Sequence, residues 1–152
     1  MKTVAIIQAR LTSTRFPAKI MEEIEGKTVL QHCIDAVNNS QIRLCIVASP
    51  HFIEFDNADR FIGSEIDVLE RYYLCAKQWR ADIVVRITAD CPLLTAKEID
   101  TALDIFNDYT FPYIIYAPID GLDVEIFTFE LLKEAYEKAV SEYDREHVTP
   151  YM

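Results

Sequence analysis

Short apolar runs alternate with amphipathic stretches along the whole chain. TVAII (3–7), RLCIVA (43–48) and DIVVRI (82–87) are brief, rich in β-branched residues and bounded by polar or turn residues. That is the pattern of strands buried on both faces. TVLQHCIDAVNN (28–39) and EIDVLERYYLCAKQW (65–79) instead space their apolar residues at helical intervals, with Ile66, Leu69, Tyr73 and Ala76 on one face of the second. Ser64 with Asp67, and Thr95 with Glu98, have the spacing of capping boxes that open helices. YIIYA (113–117) and VEIFTF (124–129) predict two later strands, and FELLKEAYEKAV (129–140) predicts a helix. Strand and helix in alternation specify an α/β domain with a mostly parallel sheet. Ligands of such sheets sit beyond the carboxyl ends of the strands. The loops after residues 8, 49 and 88 are therefore where chemistry is expected.

Composition narrows the ligand. Hydrophobic residues at 51% and charged residues at 26% describe a soluble globular chain, and 152 residues suit one domain without repeats or linkers. Lys+Arg 15 against Asp+Glu 25 gives a net charge of -10. No broad basic surface can follow from that balance, so no nucleic-acid partner is expected. A basic site must be local, which suits a small anion. The first apolar run, Val4 to Ile7, is too short for a signal-peptide core, and no stretch approaches the ~18 apolar residues of a membrane span. A cytoplasmic protein with no membrane partner is expected. Cys33, Cys45, Cys75 and Cys91 lack metal-ligand spacing and are expected to be reduced, buried thiols.

The first loop, QARLTSTRFPAK (8–19), gathers Arg10, Ser13, Thr14, Arg15 and Lys19. Guanidinium forks, an ammonium, hydroxyls and free N–H groups together can cradle phosphates, although a solvated basic turn has the same composition. It lacks the G-x-x-x-x-G-K-[ST] spacing of a P-loop. In RITADCPLL (86–94), Asp90 follows an apolar strand and Pro92 prevents its continuation. A strand-end carboxylate beside a phosphate loop can hold Mg²⁺, which takes one or two carboxylates plus ligand phosphates; capping the loop is the alternative. In GLDVEIF (121–127), Asp123 and Glu125 alternate with apolar residues and share one side of a strand, where they could serve a metal, a sugar or water. DREHVTPY (144–151) clusters Arg145 and His147 with two acids; local ion pairs at a helix start are one reading, and His147 as a ligand or a proton carrier is the other.

Taken together, AIIQARLTSTRFPAKIM, DVLERYY, VVRITADCPLL, GLDVEIF and DREHVTPYM resemble, in order and spacing, the acylneuraminate cytidylyltransferase family. The nearest branch is the one typified by spore-coat polysaccharide biosynthesis protein F, and the likeness runs from residue 3 to 152. The resemblance implies a Rossmann-like nucleotide-diphospho-sugar transferase fold, a mostly parallel mixed sheet flanked by helices. It also implies Mg²⁺-dependent transfer of CMP from CTP to an acidic or unusual sugar for cell-surface polysaccharide, with release of pyrophosphate. On that likeness Ala9, Arg10, Ser13, Thr14, Arg15 and Lys19 hold the nucleotide and Arg71 is a further contact. Asp90 binds the metal and acts in catalysis with Arg10, Arg15 and Lys19. Asp123 is a second metal or sugar ligand, and Glu125, Arg145 and His147 face the sugar.

Three departures stand out. Thr12 and Ala18 replace usual glycines, which removes easy access to positive φ. The segment after Ser49 is shortened, with Ile62 where arginine is common. Family members also continue beyond REHVTPY into a segment that carries further metal-binding carboxylates and part of the dimer interface. The expectation is thus a single nucleotidyltransferase-like domain, residues 1–152, without that segment. Asp123 and Glu125 would then substitute for the later carboxylates and a homodimer is allowed. A catalytically impaired truncated paralogue, binding nucleotide or sugar or acting as a partner subunit, is the alternative.

Overall fold

The computed structural model describes residues 1–12 and 15–152. Its main sheet is built from β1 (Thr3–Gln8), β4 (Cys45–Ser49), β5 (Asp59–Ile62), β6 (Ile83–Thr88), β7 (Tyr113–Tyr116) and β8 (Val124–Thr128), in the order β5-β4-β1-β6-β8-β7. A small hairpin, β2 (Glu23–Ile24) with β3 (Lys27–Thr28), stands apart from it. β5, β4, β1 and β6 run parallel, while β8 is antiparallel to both β6 and β7. The expected mostly parallel mixed sheet is what forms.

Its strands are apolar on both sides because helices cover both sides. α1 (Val29–Asn38) and α3 (Ala96–Asp108) pack one face, burying Leu30, Ile34 and Val37 with Ile99, Leu103 and Phe106 against Ile7, Val85 and Ile126. α2 (Val68–Gln78), α4 (Phe129–Lys138) and α5 (Glu142–His147) lie on the other, where Leu69, Tyr72, Leu132 and Val148 meet Val4, Ile6 and Phe127. None of these helices is long and apolar enough to cross a membrane.

The capping box at Thr95 and Glu98 is present and opens α3. The one expected at Ser64 and Asp67 is not. Asp67 is itself the N-cap of α2, accepting from the Glu70 N–H, while Ser64 Oγ accepts from the Asp67 N–H one turn earlier. The helix consequently starts after Ile66, which is exposed and not on the packed face.

After β1 the chain moves outward through β4 to β5, then returns across the sheet to β6 on the other side of β1. The winding direction reverses between β1 and β6. A crevice opens where two neighbouring strands send their connections opposite ways, and a ligand site is expected there, at Gln8 and Thr88.

Candidate active site

Two clefts open at this switch point, and Gln8 and Arg10 line both. The smaller, about 130 Å³, is completed by Lys19, Ile20, Thr88, Ala89 and Asp90. The larger, about 560 Å³, runs towards α2 and α5 and includes Glu65, Asp67, Arg71, Arg145 and His147.

The small cleft is organised by Lys19 and Asp90. Lys19 Nζ donates to Asp90 Oδ2 at 2.7 Å, with both side chains a little over 40% exposed. Partial burial works against the Asp90 charge, but the Lys19 hydrogen bond and charge and the Thr88 hydroxyl outweigh it and hold Asp90 below the usual carboxylate range. Lys19 reaches this position because Ala18 adopts a left-handed conformation, φ 54 and ψ 26, before the single 3₁₀ turn Lys19–Met21. The Ala18 N–H is fixed on Leu11 O at 2.8 Å. The replacement of glycine has therefore not removed the positive φ; an alanine carries it, at a cost of roughly 1–2 kcal/mol. Thr12 Oγ donates to Glu65 Oε1 at 2.8 Å and so ties the loop to the segment before α2.

Arg10 and Arg15 are exposed, and among the described residues neither has a carboxylate partner. Ser13 and Thr14 lie outside the described residues. Ala9 offers no donor, because it is buried and its N–H is taken by Ala48 O. Its expected nucleotide contact thus becomes a structural one.

Arg71 lies in the wall of the larger cleft and is 1% exposed. Its Nη1 donates to Ser64 O at 2.7 Å, while its Nε is buried without a partner. Burial, with Arg10 close by, lowers its pKa. A buried guanidinium without a carboxylate is costly unless something anionic completes it. Gly63 allows it to sit there: a Cβ on Gly63 would stand 2.8 Å from Arg71 Cγ and from a Phe61 ring carbon.

Asp123 and Glu125 do not act as a pair. Glu125 is 7% exposed, and its carboxylate accepts from Arg86 Nη1, from Tyr113 OH at 2.9 Å and from Thr149 Oγ at 2.8 Å. Buried, held by three internal donors and absent from the lining of both clefts, it serves the interior and not a sugar hydroxyl, which corrects the expectation. Asp123 precedes β8 and is half-buried. The pairing of Arg86 with Glu125 brings it to the same end of the sheet as Asp90, near enough to act on the Cys91 thiol. Arg145 also turns inward: Nε and Nη2 donate to Asp67 Oδ2 at 2.8 and 2.5 Å, and Nη1 to Tyr136 O. It ties α5 to the start of α2 and leaves exposed His147, packed on the Tyr143 ring, at the cleft mouth. All four thiols are free and buried, and burial raises each pKa, for Cys33 and Cys45 to about 12.

Among the described residues no three metal-ligating side chains gather. One half-exposed carboxylate, with a second at the same sheet end, is a donor set that suits Mg²⁺ held jointly with phosphate oxygens, not a closed protein cage. Sequence reasoning missed Gln8 and Arg86. The available signal was a lone arginine inside the apolar run IVVRIT, since charged residues are rarely buried unpaired.

The chain is similar to known proteins over its whole length. A solved cytidylyltransferase from Leptospira borgpetersenii superimposes with a TM-score of 0.89 at 30% identity, over 99% of this chain and 70% of that one. An uncharacterized protein of Methanocaldococcus jannaschii is 34% identical over 163 residues, spanning this entire chain and 67% of its own. Spore coat polysaccharide biosynthesis protein SpsF of Bacillus subtilis is 27% identical over 172 residues, 96% of this chain and 71% of that protein. The family model described as cytidylyltransferase matches residues 4–152, and the chain belongs to that family.

Proposed function

We propose that residues 1–152 act as a single Mg²⁺-dependent nucleotidyltransferase domain that moves CMP from CTP to an acidic or unusual sugar, releasing pyrophosphate. The carrying observation is the pair of clefts that meet at Gln8 and Arg10, one built on Lys19 and Asp90, the other holding the unsatisfied Arg71. A sugar hydroxyl attacks the α-phosphorus in line. The new oxygen–phosphorus bond forms as the bond to pyrophosphate breaks, and the hydroxyl proton leaves to solvent. No covalent protein intermediate is required, so the side chains act by position and charge. Arg10, Arg15 and Lys19 neutralise charge growing on the departing pyrophosphate. Asp90, with Asp123 beside it, would hold Mg²⁺, which when bound polarises the phosphoryl oxygens. Use of CTP is consistent with a cytoplasmic reaction, and the spore-coat relative suggests cell-surface polysaccharide as the destination.

Pyrophosphate release measured across the four nucleoside triphosphates, with Mg²⁺ and a panel of acidic sugars, tests this reading. Turnover selective for CTP is expected. Release that ignores the nucleobase, or needs no sugar, contradicts it. A nucleotide-binding module without turnover is the second reading, supported by the small number of carboxylates at the sheet end. Tight CTP binding with no pyrophosphate from any sugar would select it.

A further inference from the structure

A polar file crosses the otherwise apolar face of the sheet that α2 and α5 cover. Gln8 ends β1 on that face, in line with Val4 and Ile6. On β6, Arg86 pairs in register with Ile6 and reaches diagonally, its Nη2 donating to Gln8 Oε1 at 3.2 Å. Long side chains span such diagonals readily. Arginine carries donors only, so the amide oxygen of Gln8 must face Arg86 and its NH₂ must face away from it. No acceptor among the described residues takes the Gln8 Nε2 hydrogens, and Gln8 borders both clefts.

Arg86 is not free to swing. Its Nη1 is held by Glu125, whose other oxygen accepts from Tyr113 and Thr149, and its guanidinium sits 5.8 Å from the Tyr72 ring centroid. The Arg86 and Glu125 side chains are only 15% and 9% exposed. Three strands and the segment after α5 thus fix one arginine, and that arginine fixes one amide. A hydrogen-bond donor aimed by a buried ion pair is pre-organised and has less rotamer entropy to lose on binding.

We infer that Arg86 is a positioning residue that holds Gln8 as a fixed donor to an acceptor oxygen of the nucleotide where the two clefts join. This rests on the nucleotidyltransferase reading, in which the cationic small cleft takes the leaving phosphates. The junction then receives the α-phosphate with its ribose, the part that is transferred.

The test uses the full chain labelled with ¹⁵N at glutamine side chains. The Gln8 NH₂ pair is the one lost in Gln8→Met. Arg86→Lys keeps a charge against Glu125, but a single ammonium cannot also orient Gln8. It should move the Gln8 pair in the ligand-free protein and leave the other glutamines in place. CTP with Mg²⁺ should move the same pair in the parent. Arg86→Lys and Gln8→Met should each raise KM for CTP roughly 10-fold, and the double variant no further, because both act through one donor. Gln8→Glu, which places a carboxylate beside Arg86 and keeps the fold while removing the donor, should lose the same affinity. A Gln8 pair unmoved by Arg86→Lys overturns the positioning role, and so does a double variant near 100-fold. A pair unmoved by CTP that demonstrably binds overturns the donor role. If no nucleotide binds, the cytidylyltransferase reading falls, while the ligand-free spectra still decide the Arg86–Gln8 link.

Discussion

Replacing Glu125 with glutamine separates an internal role from a substrate-binding one. The substitution keeps the shape of the side chain but removes the charge that faces Arg86, whose Nε is already buried without a partner. Taking one partner from a buried ion pair costs about 3–5 kcal/mol, because the remaining charge is left in a poorly solvating interior. Glutamine retains one carbonyl oxygen, while its NH₂ opposes a donor where the second carboxylate oxygen accepted. The lower end, about 3 kcal/mol, is therefore expected. In a chain of 152 residues each kcal/mol moves Tm by roughly 2–4 °C, so the melting temperature should fall by about 6–12 °C. Thermal denaturation followed by circular dichroism measures this directly. The double variant Arg86→Met with Glu125→Leu should recover only part of the loss, because apolar side chains replace the buried pair at little cost while the Tyr113 and Thr149 hydroxyls lose their acceptor. A fall of less than about 2 °C for Glu125→Gln, roughly 0.5–1 kcal/mol on the same scale, would refute the reasoning. If that stable variant also showed a higher KM for the sugar, Glu125 would be a substrate ligand after all.

Asp90→Asn should leave Tm within the change of about 1 kcal/mol expected for a half-exposed ion pair, and should abolish the Mg²⁺-dependent part of CTP affinity measured by calorimetry. The folded pKa of Asp90 is depressed, so its small contribution to stability is present above the ordinary value of 3.8 and is lost only as pH falls through the lower folded value; melting curves from pH 7 to pH 2 follow it. Gly63→Ala forces a Cβ against Arg71 Cγ, so overpacking should cost about 1–3 kcal/mol in denaturant unfolding and weaken CTP binding as Arg71 is displaced. Ala18→Gly relieves a left-handed alanine and should raise stability by up to about 1 kcal/mol, seen as a higher urea midpoint; an unchanged or lower midpoint argues against strain there.

The sheet was legible in the sequence wherever both faces of a strand are buried. TVAII, RLCIVA and DIVVRI are apolar on every side because helices cover both faces, and each became a strand within a residue or two. β5 escaped notice for the opposite reason. It is an edge strand, and DRFI is exposed or half-buried throughout, so no continuous apolar run marks it. The two-residue strands of the hairpin are too short to carry any period. At the site, the nearness of the Lys19 loop to Asp90 was legible because each follows a parallel strand at the switch point, but the ion pair between them was not. The inward turn of Glu125 and Arg145 was not. Whether a carboxylate at alternating spacing faces water or a buried arginine depends on what lies across the sheet, and for Glu125 that partner stands 39 residues away in the chain.

One physical tension remains between a chain of net charge -10 and a ligand carrying several negative charges. Screening resolves it. At physiological ionic strength, exposed charges more than about 8 Å apart scarcely act on one another, so the acids scattered over the surface impose little penalty inside a cleft of this size. In the small cleft the balance is reversed. Arg10 and Lys19 line it, and Asp90, the acid in its lining, is already paired with Lys19, whereas the larger cleft sets Arg71 and Arg145 among Glu65, Asp67, Glu142 and Glu146. A triphosphate bound in the small cleft would therefore meet local cations at hydrogen-bonding range. A long polyanion laid over the same surface would meet the net charge instead. The acidic background is therefore expected to favour a small anion over nucleic acid at this basic loop, as the net charge alone already implied.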